Sequence, residues 1–545
     1  MDLRVGAALA AILAALLLAA PAGAQETGPP PAPPEHLPQT PEGYEISARV
    51  AVEHANTSPI VEEQAARYGV LEPVVQAKEP NWQIGYKHDG REVAQVLVDG
   101  RTGGLIEAWT GYQVAWPMAR GYEGQFGHKL NAPWVWIPLA AIFFLCLLDW
   151  RRPLRMVHLD LLVLLAFGVS HVYFNDGEIG VSVPLAYPVL AYLLARMLWI
   201  GFRGGSPLRP TLGWPWLAIA AVFLIAFRVT LNVADSGVID VGYAGTIGAD
   251  RITQGEQLWG EGAFPEDNRH GDTYGPANYL AYVPFELALP WSGEWDELPS
   301  AHAAAIAFDL AAMLGLFVFG LRLRPGPGGR ALGATLAFGW AAYPYTAFAL
   351  QSNSNDALVG ALVIWALAFF ARPVARGALL AVAAMAKFAP VILAPVLAAG
   401  ERGISVRSLR PAVAFSAAFG VVCAVLLLLP ALDAGLATFW ERTAESQLDR
   451  TSPFSIWGQV DGIQWLQTAV LAAAALLAFA LAFVPRRRSV GRLAALCAAV
   501  LVAFQLGVDH WFYLYIPWFF GPLLIGLAAC EKVPAARRQQ GGRSA

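Results

Sequence analysis

Apolar runs near the length that crosses a bilayer as a helix recur along this chain at 134–149, 157–174, 181–201, 213–231, 301–321, 331–350, 356–371, 411–430, 466–484, 493–509 and 512–530. Between them lies one long polar interruption, 232–300, rich in acidic residues and glycine. Structured loops of that length are more often functional than connecting. The pattern predicts an all-α polytopic membrane protein with one elaborate outer loop.

The chain opens differently. Residues 1–24 have a basic Arg4, an apolar stretch to Ala20 and small residues before Gln25, the pattern of a secretory signal peptide. Residues 25–44 are proline-rich and read as an extended linker. Residues 45–125 predict a small extracytoplasmic α+β domain. ISARVAVEHA and IVEEQAARYG suit helices, and alternating runs at Trp82–Tyr86, Val93–Val98 and Leu105–Trp109 suit antiparallel strands. The W-x-I-x-Y and V-x-V-D-x-x-T-G-G-L-I stretches resemble a PepSY domain, which implies docking or regulation and no chemistry.

Arginines orient the spans. Arg151, Arg152 and Arg155 end the first one, and Arg203 with Arg209, then Arg322, Arg324 and Arg330, mark later inner loops. Alternation holds under two conditions. Residues 277–300, with Pro284, Pro290 and four acidic side chains, must form a surface helix and not cross. The run 377–400 has arginines on both flanks, so it must enter and return as two short helices meeting at Lys387-Phe388. Residues 133–209 are then accessory helices, 210–530 a core carrying the outer loop, and 531–545 a cytoplasmic tail. Loop 232–300, Gln351–Asp356, Lys387, loop 432–465 and His510–Tyr515 all face outward, on the far side of a bacterial plasma membrane.

Composition agrees: 56% of residues are hydrophobic and 14% charged, where a soluble domain carries about a quarter charged. A net charge of −4 gives no reason to expect nucleic acid. Cys146, Cys423, Cys497 and Cys530 sit in or at the end of apolar runs, with no disulfide or zinc spacing. The loop has no H-E-x-x-H or D-x-D, so no cofactor is implied and a divalent metal is left open.

Lys387 is the residue that needs explaining, because a lysine inside an apolar run is expensive unless an anion meets it. His510 stands at a tight turn among Trp511, Phe512, Tyr513 and Tyr515, where an interfacial aromatic belt accounts for the rings better than for the histidine. Asp240 follows the 213–231 run closely, which puts its carboxylate at headgroup level. From Asp240 a helix would bring Tyr243, Ile247 and Arg251 onto one face. Capping that helix is the alternative role for Asp240, and Asp235 and Asp250 are the other acids in range.

The stretch V-I-D-V-G-Y from Val238, Gly255, D-T-Y-G-P from Asp272, Asn355-Asp356, Ala386-Lys387-Phe388-Ala389-Pro390, Ser452-Pro453-Phe454 and His510-Trp511-Phe512-Tyr513 form an ordered set. That set resembles GT-C-type glycosyltransferases, in particular the polyprenyl-phosphate-mannose-dependent mannosyltransferases of actinobacteria. Asp240, Tyr243, Gly255 and Tyr274 match the first-loop pattern, although Gly275 stands where a proline is expected. The resemblance implies transfer of a sugar, mannose for instance, from a polyprenyl-phosphate donor to a lipid or glycan hydroxyl, with inversion. Such a step needs a base and cations for the leaving phosphate. It implies Asp240 as the base and Lys387, Arg450, His510, Arg251 and Arg228 as phosphate partners. Tyr243, Tyr274, His270, Asp272, Asp356, Tyr513 and Tyr515 would line the substrate, with membrane lipids around the core. A flippase for a lipid-linked sugar and a PepSY-linked sensor or scaffold are the competing classes. The first lacks an inverted repeat here and the second a cytoplasmic output domain.

Overall fold

The computed structural model describes residues 40–530 except 42, 79, 123, 406–408 and 446–451. The signal peptide, most of the linker, the 531–545 tail and Arg450 therefore lie outside the described residues. The described residues divide into two compact units, the first within 40–122 and 172–182, the second within 124–171 and 183–530.

In the first unit helices Ala48–Ala55 and Pro59–Tyr68 pack on an antiparallel sheet of β1 (Glu72–Lys78), β2 (Asn81–His88), β3 (Arg91–Asp99) and β4 (Leu105–Thr110), in the order β1-β2-β3-β4. The alternation works as the pattern requires: Trp82, Ile84 and Tyr86 pair with Val98, Val96 and Ala94, and all six are buried against Ala48, Ala51, Val52 and Ala55. β1 is the strand that periodicity did not reveal. It carries Pro73 and pairs on one side only, the edge position a proline tolerates.

The second unit is helical. Among the described residues, five helices are long and apolar enough to cross a membrane: Met156–Asn175, Ile179–Arg203, Trp214–Ala234, Pro299–Leu323 and Leu409–Asp433. Shorter apolar helices include Pro133–Leu147, Asp356–Ala368, Pro373–Ala386, Gln464–Ala480 and Val490–Gln505. Many helices begin on proline, which has no amide to leave unbonded in a first turn.

One of these prolines shapes the core. Pro344 has no N–H to give to the Trp340 carbonyl four residues earlier, so the helix stops at Ala342 and restarts. Arg228 fills the gap. Its Nη1 donates to the carbonyls of Trp340 (3.0 Å) and Ala341 (2.9 Å) and to Thr346 Oγ1 (3.1 Å), and its Nη2 pairs with Asp309 at 2.6 Å. Trp340 Nε1 donates to the same carboxylate oxygen at 2.7 Å.

Neither 277–300 nor 377–400 is one continuous helix. Residues 277–300 hold an 11-residue helix, Pro276–Glu286, followed by a loop. At ~1.5 Å per residue that helix is too short to cross. The 377–400 run doubles back: helix Pro373–Ala386 ends at an extended Lys387, a 3-10 turn and helix Ala394–Ala399 follow, and Gly400 returns to the Arg376 guanidinium.

Arg228→Met is expected to lower stability by roughly 3–5 kcal/mol, because it strands the Asp309 carboxylate in the core. Adding Asp309→Leu should recover part of the loss. Thermal unfolding of the detergent-purified protein, with the double variant compared against the sum of the singles, checks this.

Candidate active site

Asp240 is the first residue of helix Asp240–Gln254, whose glycines are there for contact. A Cβ on Gly242 would overlap the Asn353 carbonyl, and one on Gly248 the Tyr279 ring. The approach is reinforced by two backbone bonds, Gly237 to Gln351 (3.3 Å) and Ile239 to Ser352 (3.2 Å). Asn353, at φ 48°, is tied by its Nδ2 to Gly237 O at 2.9 Å and accepts from Asn232 at 2.8 Å. Loop 232–300 thus sits directly on the Gln351–Asp356 segment, every residue of which is buried.

That segment ends in Asp356, which starts its own helix. Asp356 Oδ1 accepts from Lys387 Nζ at 2.7 Å and from Trp518 Nε1 at 2.9 Å, while its buried Oδ2 has no hydrogen-bond partner among the described residues. The lysine ammonium lies 5.8 Å from the Tyr274 ring centre, 5.5 Å from Tyr515 and 5.3 Å from Trp518, so three aromatic faces surround it. Tyr515 and Trp518 stack on each other at 4.4 Å. Tyr274 reaches the cage because Gly275 lies against the Met385 carbonyl, too close for any side chain.

Burial first, then the charge of Asp240, with Tyr515 and Asp356 adding, pushes the Tyr274 phenol well above its ordinary pKa. Tyr274 is therefore a neutral hydroxyl within electrostatic reach of both carboxylates. The Asp240 side chain is exposed and makes no hydrogen bond or ion pair among the described residues; Asn268 bonds its carbonyl oxygen at 2.9 Å. His510 stands one ring further out, 6.3 Å from Tyr515, and its Nδ1 lies 2.8 Å from Ser452 Oγ.

The other candidates lie elsewhere. Tyr243 is buried against Trp295 and Trp291. Arg251 pairs with Glu256 at 3.4 Å and donates to Gln257 O at 3.0 Å. Tyr513 is buried, with its hydroxyl 2.6 Å from Ser170 and its ring stacked on His171. Asp272 is buried in a bidentate pair with Arg442 at 2.5 and 3.1 Å and also accepts from Gly260 N; this pairing raises the Arg442 pKa. His270 is exposed beside Arg269. With Asp433 accepting from the Leu258 and Trp259 amides, Arg442 fastens the loop from the 432–465 side.

Sequence reasoning did not single out Trp518 or Arg442. Trp518 could have been found from its i, i+3 spacing to Tyr515. Arg442 carried no signal beyond being a basic residue in a loop facing an acidic one. Among the described residues no group of three or more His, Cys, Asp or Glu side chains is arranged to hold a metal ion.

Residues 273–508 match the family model of Glycosyltransferase family 87, a segment of less than half the chain. Its presence, with the apolar helices, supports a membrane glycosyltransferase acting on a sugar donor and an acceptor. The match includes Tyr274, Asp356 and Lys387, and leaves Asp240, His510, Tyr515 and Trp518 outside. No curated protein matches the chain, and no solved structure does.

Gly275→Ala is expected to push Tyr274 away from Lys387 while leaving the helices in place. Sugar transfer should fall by at least about tenfold, in line with the sensitivity of reacting groups to displacements near 1 Å, and the melting temperature should fall as well, because the added Cβ meets the Met385 backbone carbonyl. Transfer assays and thermal unfolding on the same preparation separate the two effects.

Proposed function

We propose that the protein transfers a sugar, mannose being the candidate, from a polyprenyl-phosphate donor to a lipid or glycan hydroxyl on the extracytoplasmic face of the plasma membrane, inverting the anomeric carbon. The observation that carries this reading is Lys387: a nearly buried ammonium at a helix break, held by one carboxylate and walled by three aromatic rings beside the start of the Asp240 helix.

In the proposed step the Asp240 carboxylate takes the proton of the acceptor hydroxyl, whose oxygen attacks the anomeric carbon from the face opposite the phosphate. The bond from that carbon to the phosphate oxygen breaks, and the phosphate leaves with the electron pair. Lys387 has three N–H donors, of which Asp356 takes one, so the ammonium can bind the leaving phosphate without losing its anchor. His510 is the next candidate, reached through Tyr515, and Arg450 is a further one. Arg228 and Arg251 already hold internal partners and are weaker ones. Tyr274 and Tyr515 would wall the donor sugar, and His270 with Asp272 would border the acceptor side. The α+β domain is read as a docking or regulatory module resembling PepSY.

Asp240→Ala should cost about 10²–10⁴-fold in transfer from a synthetic polyprenyl-phosphate sugar, the usual worth of a positioned base, with folding intact. Full retained activity would remove Asp240 from the role. Absence of transfer by wild type and variant alike, together with vectorial movement of the lipid in liposomes, would favour the flippase instead. A Phe388→Cys variant should react with a membrane-impermeant maleimide from outside the cell, and protection there would refute the assigned face.

A further inference from the structure

The loop that follows helix Pro276–Glu286 forms a half-open cavity that the transfer chemistry does not use. It has a volume of about 250 Å³ and is lined by Trp291, Ser292, Asp296, Glu297, Leu298 and Ser300 among others. This is smaller than the ~300–1,000 Å³ of sites for drug-sized ligands, and is on the scale of one sugar ring. The exposed Asp296 and Glu297 carboxylates provide hydrogen-bond acceptors, and Trp291 provides an apolar face; the Ser292 and Ser300 hydroxyls are already engaged, with Glu294 and Thr246.

The wall is built and held under strain. Leu298 is buried at φ 43°, a left-handed conformation that a bulky side chain rarely takes, and its N–H is fixed by Asp296 Oδ1 at 3.1 Å. Behind Trp291, buried Glu286 accepts the Trp291 amide through Oε1 at 2.5 Å. Burial pushes this carboxyl above its ordinary pKa, with the Trp291 amide and the Ser300 hydroxyl acting in the opposite direction. Tyr243 packs against the other side, 6.0 Å from Trp291 and 4.5 Å from Trp295 between ring centres. Tyr243 lies one helical turn after Asp240, so the cavity adjoins the helix that carries the proposed base.

We propose that this cavity is a binding subsite for one neutral hexose ring of the acceptor, with Trp291 against its C–H face and Asp296 and Glu297 accepting from its hydroxyls. A lipid phosphate is excluded by the chemistry, since carboxylates at the rim repel an anion. The acceptor role rests on the glycosyltransferase reading above, whereas the binding of sugar here can be tested without it.

Saturation-transfer NMR on the full-length protein in nanodiscs, with mannose and glucose oligosaccharides of one to three units, reads binding directly. Wild type should bind saturably, and Trp291→Ala should weaken binding by roughly tenfold or more, as loss of an aromatic anchor does. Glu297→Ala, at an exposed position that folding does not need, should weaken it several-fold. Trp465→Ala, an exposed tryptophan on another helix, should bind as wild type does. No saturable binding by wild type, or binding unchanged in both cavity variants, overturns the proposal. If transfer proceeds, Trp291→Ala should raise the acceptor KM with kcat within about twofold, the signature of lost uniform binding. Binding intact in a protein that transfers nothing would sink the acceptor role and the enzymatic reading, and leave the sugar site standing.

Discussion

The pair formed by Lys387 and Asp356 constrains most of what surrounds it. Each charge, taken out of water alone, costs several kcal/mol, and only close mutual contact with further hydrogen bonds offsets that cost. Here the contact is 2.7 Å, Trp518 donates to the same carboxylate oxygen, and both partners sit where a helix is interrupted. The doubled-back 377–400 segment, the break before Asp356 and the position of the last helix are thus linked through one ion pair.

Reaching that pair from the outer loop requires close backbone approach, and the loop composition reflects it. Gly242 lies against the Asn353 carbonyl and Gly275 against that of Met385, positions where any side chain would collide. Polar backbone brought this close must be satisfied internally. Asn232 bonds the Leu350 carbonyl, Asp433 takes the Leu258 and Trp259 amides, and Asp272 takes that of Gly260. Acidic residues that look like surface decoration in the sequence are, in these cases, acceptors for a folded loop.

Hydropathy and arginine placement made the helical class, the interruption of the 277–300 run and the fold-back at Lys387 legible, because each follows from a strong term: the cost of burying charge or of leaving backbone unbonded in lipid. Three strands of the small sheet were readable from period-two alternation; β1 was not, since its residues are mostly half-buried and carry no alternation. Pairings between distant segments were beyond reach. Nothing in the residues around Asp309 announces Arg228 as its partner, and Arg442 meets Asp272 across 170 positions. Such contacts depend on how helices cross, which one sequence does not encode locally.

Lys387 is the sequence's first candidate for binding phosphate and Arg228 a lesser one, and both are cations in apolar runs. The structure gives them different conditions. Arg228 is 1% exposed, with donors directed at a carboxylate, two carbonyls and a hydroxyl that a proline-broken helix leaves needing partners. Admitting a phosphate there would mean breaking the core. Lys387 keeps 13% of its side chain accessible and bonds one carboxylate oxygen, inside an aromatic ring that stabilises a cation without consuming its N–H groups. An expensive charge points to ligand binding where donors remain unused and the site can be reached. That criterion, and not burial alone, favours Lys387 over Arg228 as the proposed phosphate partner.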